Sequence, residues 1–324
     1  MLVDQPLDII FDPPLPAPEP ERPFRPFREA YLSGPVPPHL KDDSAARLVV
    51  RLAGVPEEEA AALVAFGSFW LDDRPCLDPE EKLATHRTFR FNPPVYGPLK
   101  FYEADPGRIV YQDDDLLVYN KESGRPCQGV PHDAYNNALS AVGRLLKAEG
   151  RKSALWLPHR LDADTSGLLL MARNKEAASF LGRAFQEGRV DKEYLCLGLG
   201  RRPEKEDFFV DAPIAKEGGR YLVRPGGPGL KSRTAFKTLG SEAFPAEPDV
   251  QKVLFQASPL TGRTHQIRLH LAWAGWPIAG DRFYGRRDVE SLQAARRLML
   301  ASAALGFAHP GSGRMLKIKI PAFP

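Results

Sequence analysis

Residues 157–173 read LPHRLDADTSGLLLMAR. Between His159 and Asp164 the segment carries a histidine, an arginine and two aspartates, and it then passes directly into the apolar run Gly167–Ala172. A short, continuous apolar run bounded by Thr165-Ser166 on one side and Asn174 on the other reads as a strand buried on both faces. Asp164-Thr165-Ser166-Gly167 is a turn sequence, with Asp first and Gly fourth. Charge concentrated beside a core strand has two explanations. It is an ordinary charged turn, or the fold holds a carboxylate where it can do chemistry.

The flanking sequence places this segment inside a larger sheet. Asn174 caps a helix in which Ala177, Phe180, Leu181, Ala184 and Phe185 share one face, and Gly188 ends it. KEYLCLGLG (192–200) follows as a strand. Upstream, Ile109–Tyr111 and Leu116–Tyr119 read as short strands around an acidic turn, and apolar spacing predicts a helix over 134–148. Downstream, RTAFKTL (233–239), QKVLFQAS (251–258), ALGFAHP (304–310) and MLKIKIP (315–321) are strand-like, and TGRTHQIRLHLAWAG (261–275) reads as a turn and a helix stopped by Gly275. Many strands with a few interspersed helices, outside strict βαβ alternation, predict an α+β fold with a mixed, mainly antiparallel sheet and flanking helices.

The N-terminal part differs in composition. Residues 1–44 form a proline-rich arm with Phe24, Phe27 and Tyr31 as candidate anchors. Residues 45–92 form a small α/β module: a helix runs from Pro56 and Glu57 to Phe66, Gly67 stops it, SFWLDD is a strand and DDRPC a turn. Residues 93–107 link this module to a main domain over 108–324.

The chain has 324 residues, a net charge of +3 and 43% hydrophobic residues, which bounds it as a globular protein with more than one domain. It has neither an apolar run of membrane-spanning length nor a signal-peptide pattern. Cys76, Cys127 and Cys196 are odd in number and widely spaced, so neither a disulfide framework nor a structural zinc site is expected. A cytoplasmic location without membrane association fits. Lys216, Arg220, Arg224, Lys231, Arg233 and Lys237 face a single acid, Glu217, across a Gly/Pro-interrupted stretch that reads as a flexible basic loop suited to a phosphate backbone.

Asp162 and Asp164 have D-x-D spacing, but the turn reading of Asp164 outweighs a metal site. His265 and His270 lie five apart rather than on one helical face, so packing or hydrogen bonding to RNA explains them better than zinc. Gly262-Arg263-Thr264 is too short for a P-loop, and no dinucleotide fingerprint or hydrolase elbow occurs. No cofactor or metal is expected.

HRLDADTSGLLLMAR resembles the signature H-R-L-D-x-x-T-S-G of the RluA-type pseudouridine synthases. TGRTHQIRLHLAWAGWPIAGDRFYG is similar to that family's second long signature, DLLVYNKESGRP to its opening strand and N-K-x-x-G turn, and KEYLCLGLG to its K-x-Y strand. These blocks stand in the family's order over residues 109–285. The resemblance implies the pseudouridine synthase fold and an isomerase that converts uridine in structured ribosomal or transfer RNA to pseudouridine. It places the essential aspartate on Asp162, the arginine that replaces a flipped uridine in the RNA stack on Arg160, the tyrosine that packs on the target base on Tyr194, the arginine that pairs with the aspartate on Arg268, and the aliphatic pocket residue on Ile267. Lys192, Arg263, His265, Lys231 and Arg233 are the expected RNA contacts, and a monomer is expected. The family's usual proline is replaced here at Glu122 or Ser123, and Ala301 and Ser302 stand where a histidine and an alanine are usual. Residues 45–92 resemble an α-L RNA-binding module whose helix, PEEEAAALVAF, is acidic instead of basic. A non-catalytic RNA binder and a metal-dependent phosphodiesterase using Asp162 and Asp164 are the competing readings.

Overall fold

The computed structural model describes residues 32–94, 101–201, 203–243, 250–285 and 295–320. Phe24, Phe27 and Tyr31 lie outside the described residues. The chain divides into two compact units, one of residues up to Tyr102 with Gln128–Asn136, the other of Glu103–Cys127 with Asn137 onward.

In the first unit, strands β1 (Leu32–Pro35), β2 (Phe69–Leu71), β3 (Arg74–Pro75) and β4 (Thr88–Phe91) form an antiparallel sheet in the order β1-β4-β2-β3. Pro35 sits on the edge strand, where a missing N–H costs no ladder bond. Helices α1 (Ala45–Ala53) and α2 (Glu57–Ala65) bury Leu48, Val49, Leu63 and Val64 with Phe69, Leu71 and Phe91. The sequence reading began this module's helices only after Gly54. The signals for α1 were nevertheless present: Ser44 accepts the Arg47 N–H as its N-cap, and Gly54 closes it at φ 65°. Segment 128–136, assigned from sequence to the main domain, belongs to this unit. The Trp70 indole N–H donates to the Pro131 carbonyl (2.9 Å) and the Ser68 hydroxyl to that of His132 (2.9 Å).

The second unit is built on a mixed sheet. Its strands are β5 (Ile109–Gln112), β6 (Leu116–Lys121), β7 (Ser166–Ala172), β8 (Asp191–Gly200), β9 (Asp207–Asp211), β12 (Arg233–Ala243), β13 (Gln251–Pro259), β14 (Leu300–Ala308) and β15 (Met315–Lys319). Between β9 and β12 lies the separate hairpin β10 (Ile214–Glu217) and β11 (Arg220–Val223). The sheet order is β5-β6-β7-β14-β8-β13-β12-β9, with β15 on β14. Only β7 and β14 pair in parallel; the other named pairs are antiparallel. β7 is buried along its whole length, as a central strand covered on both faces must be.

Gly167 makes the β7–β14 approach possible. Its φ is +100°, and a Cβ there would lie 2.3 Å from the Ser302 carbonyl oxygen. Helices α3 (Ala138–Ala148) and α4 (Lys175–Gln186) are capped by Asn137 and Asn174, so α3 starts four residues later than its apolar spacing predicts. Leu181 and Ala184 of α4 pack with Leu168, Leu170 and Phe307. Helix α5 (Gln266–Trp273) packs into a second core with Phe236, Val253 and Phe255. Gln266 through Leu271 are all buried. Among the described residues, no helix is long and apolar enough to cross a membrane.

Candidate active site

Asp162 lies on the loop that enters β7, in a turn closed by the Thr165 N–H donating to its carbonyl (3.1 Å). Its side chain is 30% exposed, and its Oδ2 is 3.9 Å from Arg268 Nη1 and 3.9 Å from His265 Nε2. The arginine comes from α5, a hundred residues later in the chain. Its position follows from burial: only 2% of it is exposed, and Nε and Nη2 each donate to the Asp281 carboxylate at 2.7 Å. Asp281 also accepts the N–H groups of Phe283 (2.9 Å) and Tyr284 (3.0 Å). Burial alone would raise the Asp281 carboxyl, but the Arg268 hydrogen bonds and charge, together with the Tyr284 and Phe283 N–H groups, outweigh it and hold it below the usual range. Burial likewise pulls Arg268 down, and Asp281 more than restores it. Arg268 is therefore a fixed cation with its Nη1 end directed at Asp162.

His265 precedes α5 in the left-handed region, at φ 55°, an uncommon conformation for a side chain of this size. Its Nδ1 is 2.7 Å from the Tyr284 hydroxyl, and its ring lies 6.2 Å from that of Phe283 and 5.8 Å from that of Tyr221. Burial lowers its pKa; the Asp162 charge opposes this and the Arg268 charge adds to it. The start of α5 is held by Gln266, which accepts from the Thr261 hydroxyl (2.6 Å) and donates to the Arg233 carbonyl (3.0 Å) and Thr234 Oγ1 (2.9 Å). His270 is structural. Its Nε2 donates to the Ala212 carbonyl (3.0 Å), so Nδ1 is the acceptor for the Thr234 hydroxyl (2.9 Å).

Tyr194 on β8 packs against the same core as the buried Ile267. Burial raises its phenol pKa, and the Asp162 charge raises it further, so the neutral ring and the carboxylate share one site. Arg160 is exposed, two residues before Asp162. Lys192 is half-buried on β8, and burial lowers its pKa. Lys231, Arg233 and Arg263 are exposed and meet near the start of β12. Arg263 Nε donates to the Lys231 carbonyl (3.1 Å), while the Arg233 guanidinium lies 4.9 Å above the Phe209 ring and 3.8 Å from Asp211. His159 is half-buried, stacked on Phe185 at 4.4 Å and accepting the Leu170 N–H at 2.9 Å; burial pushes its pKa down to about 3.

The basic stretch is ordered differently from the flexible loop that its glycines and prolines suggested. Glu217 and Arg220 flank a two-glycine turn, Gly218 at φ 54° and Gly219 at φ 81°, and close the β10–β11 hairpin. Two positive φ angles in succession are what a type I′ hairpin turn requires. Glu217 pairs with Arg224, while Lys216, Arg220, Lys231 and Lys237 are exposed.

Several site residues were missed from sequence. Asp281, Phe283 and Tyr284 lie within TGRTHQIRLHLAWAGWPIAGDRFYG, but nothing in that stretch singles them out. Lys121, a charge in an apparent turn, is fully buried. Its ammonium donates to the carbonyls of Glu122 (2.8 Å), Arg125 (2.7 Å) and Ala163 (2.9 Å), and burial lowers its pKa to about 8. Among the described residues, Asp113, Asp115 and His309 alone cluster like metal ligands. Their hydrogen bonds explain them. His309 Nδ1 accepts the N–H groups of Gly311 and Ser312, leaving Nε2 to donate to Asp113 at 2.8 Å, so no ring lone pair is free for a cation. Ala301 is fully buried on β14, between β7 and β8.

The family model described as RNA pseudouridylate synthase matches residues 115–273. A ribosomal large subunit pseudouridine synthase C of Salmonella typhi is 34% identical over 291 residues, covering 85% of this chain and 87% of that protein. Its counterpart in Vibrio vulnificus (strain CMCP6) is 40% identical over 216 residues, 66% of this chain; the match spans 65% of that relative, less than two thirds of its length. Among solved structures, human RNA pseudouridylate synthase domain containing 1 superposes with a TM-score of 0.52 at 28% identity, covering 68% of this chain and 86% of that one.

Proposed function

We propose, given that this chain belongs to the RNA pseudouridylate synthase family, that it isomerises uridine to pseudouridine in structured RNA, with Asp162 as the essential carboxylate. The observation that carries this reading is the placement of Asp162. Its side chain is partly shielded, 3.9 Å from a buried guanidinium and within electrostatic reach of the half-buried Tyr194 ring. The reaction breaks the C1′–N1 bond, turns the base and forms C1′–C5; N1 gains a proton and C5 loses one. Atoms and electrons balance without a redox partner. The carboxylate serves as nucleophile or base toward the nucleoside, with the Arg268 guanidinium beside it at 3.9 Å.

A uridine in a helix must first leave its stack, at a cost of a few kcal/mol. Tyr194 offers a face for the extruded base, and Ile267 lines the apolar side of the same pocket. Arg160, exposed beside the loop, fills the vacated position with its planar guanidinium. Lys231, Arg233, Arg263, His265 and Lys192 contact the RNA. The names of its bacterial relatives favour large-subunit ribosomal RNA over transfer RNA as the substrate, and the enzyme acts as a cytoplasmic monomer.

The test is to map pseudouridines in ribosomal and transfer RNA from cells with the gene, without it, and with Asp162→Asn. The sites lost on deletion should stay lost in the variant, while the purified variant binds the same RNA within about twofold of wild type. Pseudouridine restored by Asp162→Asn, or a map unchanged by deletion, would refute the assignment.

A further inference from the structure

Four consecutive carbonyls, Leu161 to Asp164, form the backbone of the loop that carries Asp162. A partner can be named for each. The Asp162 carbonyl accepts the Thr165 N–H. The other three accept from side chains of a single seven-residue turn. Cys127 Sγ donates to the Leu161 carbonyl at 3.2 Å, the Lys121 ammonium to that of Ala163 at 2.9 Å, and the Ser123 hydroxyl to that of Asp164 at 2.6 Å. Cys127 Sγ also receives the Leu161 N–H at 3.2 Å, so one sulfur holds both polar groups of the peptide residue before Asp162. The thiol is 4% exposed, and burial raises its pKa, which keeps its proton available for donation.

The turn is itself braced. Lys121 donates to the carbonyls of Glu122 and Arg125 inside it. Glu122, at one of the two positions where the family usually carries proline, lies 3.2 Å from Arg108 and accepts from the Tyr119 hydroxyl at 3.2 Å. An ion pair and a hydrogen bond thus supply rigidity that a proline ring would give by covalent means.

We propose that Ser123 and Cys127 are positioning residues, which act with Lys121 as a three-point clamp setting where the Asp162 carboxylate lies relative to Arg268. The inference rests on the reading of Asp162 as the essential acid. Each clamp bond contributes only modestly to stability. Reaction geometry is more demanding than stability, because a misplacement of about 1 Å can cost on the order of a hundredfold in rate. Ser123 and Cys127 are the informative positions, since truncating either removes a neutral donor and leaves the buried Lys121 charge satisfied.

The experiment compares wild type, Ser123→Ala, Cys127→Val and the double variant on ribosomal RNA purified from cells lacking the gene. Pseudouridine is counted by nucleoside mass spectrometry under single-turnover conditions. The double variant should lose roughly 10- to 100-fold in rate at saturating enzyme, with RNA affinity within about twofold. Ser123→Thr and Cys127→Ser, which keep a donor, should recover most of the loss. Hydrogen exchange at Leu161 and Thr165 should quicken in the double variant while the β7 amides keep their protection. A wild-type rate in the double variant, equal losses in the donor-keeping variants, or unchanged exchange at Leu161 would overturn the clamp. The exchange measurement needs no turnover, so failure of the clamp is distinguishable from failure of the proposed activity.

Discussion

Replacing Asp281 with Asn tests whether the buried pair fixes the site. The wild-type pair has two charge-assisted bonds of 2.7 Å between side chains that are 2% and 0% exposed. In Asp281→Asn the Oδ1 position can still receive Arg268 Nη2 and the N–H groups of Phe283 and Tyr284. The former Oδ2 position becomes an amide that opposes the Arg268 Nε–H, donor against donor. One charge-assisted bond is lost, worth roughly 1.5–3 kcal/mol, and a buried guanidinium loses its counter-charge. Together these should destabilise the second unit by about 3–5 kcal/mol, the usual cost of breaking a buried pair from one side. Hydrogen exchange at the α5 and β13 amides reads that unit directly. Adding Arg268→Met removes the stranded charge, so the double variant should regain at least half of the lost stability and show a coupling above about 2 kcal/mol. It should not regain pseudouridine formation. A single variant within about 0.5 kcal/mol of wild type, or additive effects in the cycle, would refute the reasoning.

Gly167→Ala should cost more than about 3 kcal/mol, because it combines a strained φ with a Cβ placed on the Ser302 backbone; a thermal melt in which the variant matches wild type would count against the β7–β14 packing described. In the first unit, the His86 hydrogen bond, followed by the Thr88 and Arg87 N–H groups, lowers Asp72 from 3.8 to about 2. A carboxyl depressed on folding contributes stability that is full above its unfolded value and is lost as pH falls through its folded one. Melting temperatures between pH 5 and pH 2 should therefore fall more steeply in wild type than in Asp72→Asn, a substitution that tolerates the φ of 52°. His265→Asn, compatible with positive φ for the same reason, should lower kcat/KM on RNA about tenfold through a lost RNA contact while shifting Tm by only a few degrees; undiminished kcat/KM would remove the imidazole from the proposed RNA contacts.

The sheet was legible because its signals are local. The apolar run after Asp162 reads as a doubly covered strand and Asn174 announces α4 as its cap, whereas apolar spacing alone started α3 at 134, ahead of its cap Asn137. Asp162 and Arg268 were legible as residues through the family signatures, but the arrangement that joins them was not. The bidentate partner of Arg268 is Asp281, thirteen residues on, and no periodicity links the two because the chain leaves α5 and doubles back through Gly275 and Gly280. Lys121 misleads for a physical reason. A lysine beside Glu122 and Gly124 reads as a solvated turn charge, and only three carbonyls, two from its own turn and one from Ala163, make its burial tolerable. The β10–β11 hairpin was hidden by composition, although Gly218-Gly219 between Glu217 and Arg220 was a usable turn signal.

The spacing of these charges bears on the chemistry proposed for Asp162. A carboxylate in a tight, bidentate ion pair has its lone pairs committed at 2.7–2.9 Å, and it must break those bonds to attack or to take a proton. Asp162 avoids this because the cations around it are already engaged elsewhere. Arg268 commits Nε and Nη2 to Asp281, Lys121 spends its donors on three carbonyls, and Nη1 stands off at 3.9 Å. At that distance the guanidinium does not occupy the Asp162 lone pairs, and the direction of approach to the carboxylate stays open to a substrate. Asp281 and the three carbonyls hold the positive charge in place, and Asp162 experiences its field without being bound by it.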